Sequence, residues 1–282
     1  MQMMKVFALM AGLTVLLVVA GDQLGGPSMA LWTFVFAIIM NVGAYWVSDR
    51  AVLRMYRAKV IGPDDAPELY TMVDRLRSEA NLPMPTIAIA PSEQPNAFAT
   101  GRNHNHAVVC VTSGILKLIS PRELEGVIAH ELAHIQHRHM LVGTVAATVA
   151  GAIAMLASIA RWGLIFGGGR RSGRGGNPFV MIALMIIAPI AAMIIQMMIS
   201  RYNEFQADAT AARITSDPRG LASALEKIEA YAQKIPMQVN PAAAQLAIIN
   251  PLAGSAGDRI SRFFSTHPPT KERVAKLRRM RI

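Results

Sequence analysis

Two histidines with a glutamate between them are the residues best suited to chemistry in this 282-residue chain. They lie in the run His130-Glu131-Leu132-Ala133-His134, where the histidines are four residues apart. In a helix this spacing places both imidazoles on one face, so they can share a single metal ion. Glu131 directly follows the first histidine and can reach a water molecule on that ion. The pattern is the H-E-x-x-H arrangement of zinc hydrolases, with two metal ligands and a general base.

The residues before the motif predict the helix that this arrangement requires. Ser120 is followed three residues later by Glu123, which is the signature of a capping box, and Pro121 stands at the first helical position. We therefore expect a helix that begins near residue 121 and carries both histidines. The alternative is a polar helix face with two solvated histidines.

The composition predicts that membrane segments accompany this helix. The chain is 52% hydrophobic and only 16% charged, which is too apolar for an ordinary soluble domain. With such apolar runs, the net charge of +10 favours contact with anionic lipid over nucleic acid. The single cysteine, Cys110, excludes an internal disulfide and a cysteine-based zinc site.

Four apolar segments are long enough to span a bilayer core of about 30 Å. We divide the chain accordingly into an N-terminal transmembrane hairpin (3–47), a first catalytic part (48–140), a second transmembrane or membrane-associated hairpin (141–199) and a second catalytic part (200–282). A cleaved signal peptide is the alternative for the first apolar segment.

Charges beside the first hairpin predict its orientation. The loop between its segments contains Asp22 and no Lys or Arg, whereas Arg50, Arg54, Arg57 and Lys59 follow the second segment. Lys and Arg near span ends mark the cytoplasmic side, so the catalytic parts are predicted to face the cytoplasm. The loop of the second hairpin carries three arginines, which conflicts with this rule. The sequence therefore leaves open whether that hairpin crosses the bilayer fully.

Three short apolar runs lie between the first hairpin and the motif. They cover residues 86–90, 96–101 and 107–111, and turns separate them, which predicts a small antiparallel sheet. His104 and His106 lie at one of these turns, where exposed histidines are far commoner than metal ligands. The predicted fold class is thus a mainly α integral membrane protein, with two helical hairpins and an α+β catalytic domain that contains a small β-sheet.

A catalytic zinc site usually has three protein ligands and one open position, so a third ligand is expected elsewhere. Glu204 and Asp208 are four residues apart in a predicted helix, and two apolar segments separate them from His134. Two crossings would return the chain to the same side of the membrane. We predict that Glu204 binds the ion and that Asp208 accepts a hydrogen bond from a ligand histidine. The alternative is an exposed acidic pair.

Four motifs in this order resemble the HtpX family of bacterial inner-membrane zinc proteases, which are related to the CAAX prenyl proteases. They are the H-E-x-x-H motif, residues 204–208, residues 96–99, and the run Ser265-Thr266-His267-Pro268-Pro269. The resemblance covers nearly the whole chain and implies a gluzincin-type catalytic domain with one Zn²⁺ per chain. It also implies cytoplasmic-side endoproteolysis of damaged or misassembled membrane proteins, as part of membrane protein quality control.

The same resemblance implies roles for other residues. Asn96, Ala97, Phe98 and Ala99 match a family segment on an exposed strand edge. A substrate can add to this edge as an extended strand. His267 matches a histidine near the zinc that can stabilise the oxyanion of the intermediate. Arg273 matches an arginine that supports the site. The alternatives are an ordinary strand and a surface histidine before a Pro-Pro turn.

Together these residues predict hydrolysis of a peptide bond. Glu131 would take a proton from the activated water and pass it to the leaving amine. An intramembrane protease is the nearest enzyme alternative, but charged residues flank the motif and place it at or above the membrane surface. From another class, a zinc-binding membrane scaffold or chaperone-like protein without turnover is the alternative. The intact Glu131 and the open fourth zinc position argue against it.

Overall fold

The structure is a computed structural model that describes residues 2–46, 53–140, 198–234 and 268–282. The chain divides into two compact units: Met1–Trp46 with Val142–Gln196, and Val47–Leu141 with Met197–Ile282. The predicted second hairpin, apart from its last two residues, lies outside the described residues, and so does His267.

The first unit contains one described helix, α1, which spans Gln2–Trp46. Gly26 in this helix has a φ of +69°, in the left-handed region that favours glycine. A Cβ added to Gly21 would lie 2.3 Å from Oγ1 of Thr33, although residues twelve apart in a straight helix are about 18 Å apart. The chain therefore reverses direction near Gly26. Within the part of the chain that the structure describes, no helix is sufficiently long and apolar to cross a membrane.

The second unit contains a four-stranded mixed sheet with the strand order β1-β2-β4-β3. The strands are β1 (Lys59–Ile61), β2 (Thr86–Ala90), β3 (Ala97–Gly101) and β4 (Ala107–Thr112). The antiparallel sheet predicted from the sequence is wrong for one pair, because β2 and β4 run parallel. The reason is that β3 and β4 form a hairpin and β4, not β3, pairs with β2. Two reversals then leave β4 pointing in the direction of β2.

Helices cover this sheet and bury an apolar core between themselves and its strands. The helices are α2 (Pro67–Glu79), α3 (Ser113–Leu118), α4 (Pro121–Gln136), α5 (198–215), α6 (Pro218–Lys234) and α7 (Thr270–Arg279). The core includes Val73, Leu132, Leu225 and Leu277, which are all buried. The described chain is thus mostly helical with a small sheet, as predicted.

Helix α4 is the central element of this unit, since eleven of its sixteen residues are buried. It begins as predicted: the Ser120 side chain accepts the Glu123 N–H, and the Glu123 carboxylate accepts the Ser120 N–H in return. Gly126 lets α4 approach α6 closely, because a Cβ there would lie 2.6 Å from the backbone nitrogen of Leu221. This contact brings the first half of α4 close to α6.

Candidate metal centre and active site

The side chains of His130, His134 and Glu204 meet at one point. The two Nε2 atoms are 3.1 Å apart. The Glu204 carboxylate oxygens lie 3.5 Å from Nε2 of His130 and 3.4 Å from Nε2 of His134. Helix α5 supplies the glutamate and α4 supplies both histidines, so residues 70 or more positions apart in the sequence are brought together.

These distances fit a single metal ion. In a tetrahedral site with bonds of about 2.0–2.1 Å, the ligand atoms are separated by about 3.3–3.4 Å. The three separations observed match that value closely. In the described part of the chain, His130, His134 and Glu204 form the one group of three residues that can hold a metal ion in this way. The two imidazoles and the carboxylate are the donor set expected of a catalytic site with an open position.

Asp208 and Arg273 lie directly behind this group. Asp208 Oδ1 is 3.0 Å from Nδ1 of His130, and the two Asp208 oxygens accept hydrogen bonds of 2.7 and 2.8 Å from Arg273. Arg273 Nη1 also lies 3.0 Å from the Glu204 carboxylate. Because Asp208 faces Nδ1 of His130, the ring can carry its proton there and direct the lone pair of Nε2 at the metal position.

Burial and charge act in opposite directions on Asp208 and Arg273. Burial disfavours the charged form of the aspartate, but Arg273 and His130 hold the pKa of Asp208 below its ordinary value. Burial also opposes the charge of the guanidinium, but Asp208 and Glu204 raise the pKa of Arg273. The site is therefore a buried network in which one arginine offsets the charges of two carboxylates.

Glu131 lies on α4 beside the metal ligands and is itself buried, with 4% of its surface exposed. Burial is the main reason that its pKa is raised to about 7, and the charge of Glu204 adds to the effect. A hydrogen bond from the backbone N–H of Ala99 opposes this rise. A carboxylate whose pKa is near neutrality can both accept and return a proton, which is what a general base requires.

Strand β3 presents its outer edge to Glu131. The Thr112 N–H donates to the Asn96 carbonyl over 2.9 Å, which places Asn96, Phe98 and every second residue in hydrogen-bonded pairs with β4. The backbone groups of Ala97 and Ala99 consequently point away from β4, and the Ala99 N–H reaches Glu131. The side chain of Phe98 instead packs in a second apolar cluster, where its ring centroid is 4.6 Å from that of Tyr56.

The predicted site residues thus fall into three groups. Those that the structure brings together around one point are His130, Glu131, His134, Glu204, Asp208, Arg273 and, through its backbone N–H, Ala99. Asn96, Ala97 and Phe98 precede Ala99 at the edge of the sheet, and the Phe98 side chain packs elsewhere. His267 lies outside the described residues, so its predicted role near the metal stays a prediction.

His139 is a site residue that the sequence did not reveal. Its Nδ1 lies 3.1 Å from Nδ1 of His134, and only 3% of its surface is exposed. From the sequence we expect His137 and His139 to be polar residues at the membrane interface. In a continued helix, a residue five positions after His134 would be rotated by about 140° from it. Arg138, with a φ of 57°, ends that geometry and turns His139 back onto the ligand.

Comparison with known proteins agrees with this geometry. The family model of peptidase family M48 matches residues 63–281. A protein named Protease HtpX homolog from Gemmatimonas aurantiaca is 56% identical over 277 residues, which cover 98% of each chain. A protein of the same name from Pelotomaculum thermopropionicum is 50% identical over 284 residues and the full length of both chains.

The structure is also similar to the crystal structure of Ste24p from S. mikatae. The TM-score is 0.56 at 22% sequence identity, and the similarity covers 98% of this chain and 65% of Ste24p. At this identity the comparison supports the fold alone. The sequence relatives confirm the resemblance to the HtpX proteases on which the site predictions depend. The chain therefore belongs to peptidase family M48, and it is an HtpX-type metalloprotease.

Proposed function

We propose that this metalloprotease is a zinc-dependent, membrane-bound endopeptidase that cleaves damaged or misassembled membrane proteins on the cytoplasmic side. The observation that carries the chemistry is the convergence of two Nε2 atoms and one carboxylate beside a buried glutamate. One Zn²⁺ per chain would be held by His130, His134 and Glu204. When bound, it would act as a Lewis acid and make a water molecule more acidic.

The chain's own residues then carry the proton. Glu131 accepts a proton from the attacking water and delivers it to the nitrogen of the leaving amine. The N–H of Ala99 holds the Glu131 carboxylate in place through its hydrogen bond. Asp208 keeps the proton of His130 on Nδ1, and Arg273 lowers the pKa of Asp208 and pairs with the Glu204 carboxylate in a buried setting.

The edge of β3 is the proposed binding place for the substrate backbone. The N–H and C=O of Ala97 and the C=O of Ala99 point away from β4, on the side where Glu131 accepts the Ala99 N–H. An extended peptide that pairs with this edge would make mainly main-chain hydrogen bonds. Such binding depends little on side chains, which suits a protease for many unfolded substrates. His267 is proposed to stabilise the oxyanion that forms on the substrate carbonyl.

The membrane setting rests on the sequence. Residues 3–47 and 141–199 contain the four apolar segments, and basic residues follow the first pair. The positive-inside rule supports a cytoplasmic orientation of the second unit, and membership of the HtpX-type proteases supports a bacterial inner membrane as its location. The substrates would then be unfolded or misassembled proteins in or near the same bilayer.

Cleavage of an unfolded model protein tests the enzymatic proposal. The full chain, purified in detergent, is assayed with zinc, with a chelator, and as Glu131→Gln. We expect cleavage to require zinc and to fall about 10²- to 10⁴-fold in the variant, with zinc still bound. Glu125→Gln is a matched control, because Glu125 lies on the same helix but pairs with Arg75 at the surface. Zinc binding without cleavage would favour the scaffold alternative.

Labelling of single cysteines tests the topology. The one native cysteine, Cys110, is fully buried and should react slowly. A cysteine at Ser28, in the turn of the first hairpin, should react with an impermeant thiol reagent outside spheroplasts. A cysteine at Lys59, an exposed position in the second unit, should react only after lysis. Reaction of the Lys59→Cys variant in intact spheroplasts would place the catalytic unit on the other side.

A further inference from the structure

A line of hydrogen bonds runs from the metal ligand His134 into α5. His134 Nδ1 lies 3.1 Å from Nδ1 of His139, and Nε2 of His139 lies 3.2 Å from Oε1 of Gln206. The Gln206 amide nitrogen is 3.3 Å from Nδ1 of His137, whose Nε2 is 2.9 Å from the hydroxyl of Thr210. The line thus joins the chain just after α4 to one face of α5.

The direction of every hydrogen bond in this line follows from its first member. A metal at Nε2 of His134 requires a lone pair there, so the neutral ring carries its proton on Nδ1. Nδ1 of His139 must then accept, which places the proton of His139 on Nε2. The carbonyl oxygen of Gln206 accepts the hydrogen bond from this Nε2–H, as the amide is oriented.

The remaining links agree with the same direction. The amide nitrogen of Gln206 donates to Nδ1 of His137, and Nε2–H of His137 then donates to Thr210. The Thr210 hydroxyl also accepts a hydrogen bond of 2.9 Å from Arg213, and an oxygen with two lone pairs can accept both. No link requires a donor to face a donor or an acceptor to face an acceptor.

We propose that His139 is a positioning residue that accepts a hydrogen bond from Nδ1–H of His134, and that Gln206, His137 and Thr210 hold His139 in this accepting form. The inference rests on the proposed function, because it takes His134 as a zinc ligand. Outer partners of a ligand histidine fix its tautomer and ring orientation, and their loss commonly lowers metal affinity about 10- to 100-fold.

His139 is suited to this role by its surroundings as well as by its distance from His134. It is 3% exposed, so water cannot readily replace it as the acceptor. A neutral imidazole accepts this hydrogen bond without adding a buried charge beside Glu204, whose charge Arg273 already offsets. His134 therefore has a neutral partner, whereas His130 has the anionic partner Asp208.

Two isosteric variants separate the accepting atom from the rest of the ring. Asparagine at position 139 places an amide oxygen near the position of Nδ1, so it can still accept from His134. Glutamine places its amide near the position of Nε2, so it can contact Gln206 but leaves Nδ1 of His134 without its acceptor. The readout is the zinc affinity of the metal-free full chain in detergent, measured by competition with a chromophoric chelator.

We expect His139→Gln to bind zinc about 10- to 100-fold more weakly and His139→Asn to stay within about 3-fold of the unmodified chain. Gln206→Leu, which removes the acceptor for His139, should weaken binding to a lesser degree. His106→Gln is the control, because His106 is exposed on the turn before β4. The unfolding midpoint of each metal-free variant is measured in parallel.

Two results would overturn the inference. The first is equal weakening by the Asn and Gln variants in proportion to their loss of stability, which would show a structural role only. The second is wild-type affinity in both variants, which would show that His134 needs no acceptor. Failure of the proposed function is distinguishable from either result, because the unmodified chain would then bind no zinc or bind it without His134.

Discussion

Helix α4 carries two buried glutamates eight residues apart that differ sharply in acidity. Glu123 is 5% exposed and Glu131 is 4% exposed, and burial alone raises the pKa of both. At Glu123 this rise is overcome by hydrogen bonds from Lys227, Ser223 and Ser120, which lower its pKa to about 2. At Glu131 burial prevails and the pKa is about 7.

The difference arises from the partners of each carboxylate together with its depth of burial, which is greater at Glu131. Glu123 accepts hydrogen bonds of 2.5 Å from Ser223 and 2.8 Å from Lys227, so it stays ionised and ties α4 to α6. Glu131 lies near the charged groups of the metal site, and it accepts a hydrogen bond from the backbone N–H of Ala99. The first glutamate stabilises the fold, and the second is available for proton transfer.

The largest effect on stability should come from removing Arg273, whose charge offsets the buried carboxylates around the metal site. Arg273 is 1% exposed and pairs with both Glu204 and Asp208. Arg273→Met would remove the guanidinium from two buried carboxylates and leave them beside His130, so the free energy of unfolding of the metal-free chain should fall by about 3–5 kcal/mol. Denaturant titration measures this loss.

Arg278→Met is the control for that experiment, because Arg278 lies on the same helix α7 and forms a surface pair with Glu226. Exposed pairs contribute about 0–1 kcal/mol. If both variants lost the same small amount, the network around Asp208 would not hold the unit together.

The second prediction concerns Glu123. Glu123→Gln removes the charge from the hydrogen bonds with Ser223 and Lys227, so we expect a loss of about 1.5–3 kcal/mol at neutral pH. The folded pKa of about 2 lies below the ordinary value of 4.5. Folding therefore gains from the ionised form above about pH 4.5, and this gain disappears as the pH falls towards 2.

Denaturant unfolding at a series of pH values measures this dependence. The difference in stability between the unmodified chain and Glu123→Gln should be constant near neutrality and shrink between pH 4.5 and 2. A difference that does not vary with pH would mean that the Glu123 charge adds nothing to folding.

Both the start of α4 and its motif histidines could be predicted from the sequence, because local spacing specifies them. The capping box at Ser120 and Glu123 and the two motif histidines depend on spacings of three and four residues, which helical geometry converts directly into contacts. Glu204 is 70 residues after His134, yet it was predicted because a metal site with two ligands needs a third. Where chemistry demands a partner, distance along the chain is no obstacle to prediction.

Other contacts in the structure could not be predicted, because no motif and no missing ligand pointed to them. The hydrogen bonds from Ser223 and Lys227 to Glu123 join ordinary helix residues across about 100 positions, and no motif marks them. Strand β1 has only three residues, too few to show an alternating pattern. His139 depends on the positive φ of Arg138, and a residue without glycine's freedom gives no sequence signal for that conformation.

Gly126 lies between Glu123 and Glu131 on α4. A substitution there tests whether the two halves of the helix act independently. A Cβ there would lie 2.6 Å from the backbone nitrogen of Leu221 in α6, and backbone cannot move aside as a side chain can. Gly126→Ala should therefore lower the free energy of unfolding by about 1–3 kcal/mol. It should disturb the contacts of Glu123 with α6 and leave zinc affinity unchanged, since the clash is with α6, which supplies no metal ligand.

Gly62→Ala is the matched control, because its added Cβ would make only an ordinary contact of 3.7 Å with Asp65. We expect its stability to change by less than about 0.5 kcal/mol. A loss of zinc affinity in Gly126→Ala as large as the loss of stability would show that α4 responds as one rigid element and that its two ends are not independent.

The smallest effect on stability should come from the residue with the largest effect on turnover. Glu131→Gln replaces a buried carboxylate beside Glu204 with a neutral amide of the same shape, whose oxygen can still accept the Ala99 N–H. A neutral amide avoids the cost of burying the charge of a carboxylate, which is the main reason that the pKa of Glu131 is raised. The free energy of unfolding of the metal-free chain at pH 7 should therefore be unchanged or higher by up to about 1 kcal/mol. Denaturant titration beside Glu123→Gln measures the contrast, and a loss as large as that of Glu123→Gln would mean that Glu131 also stabilises the fold.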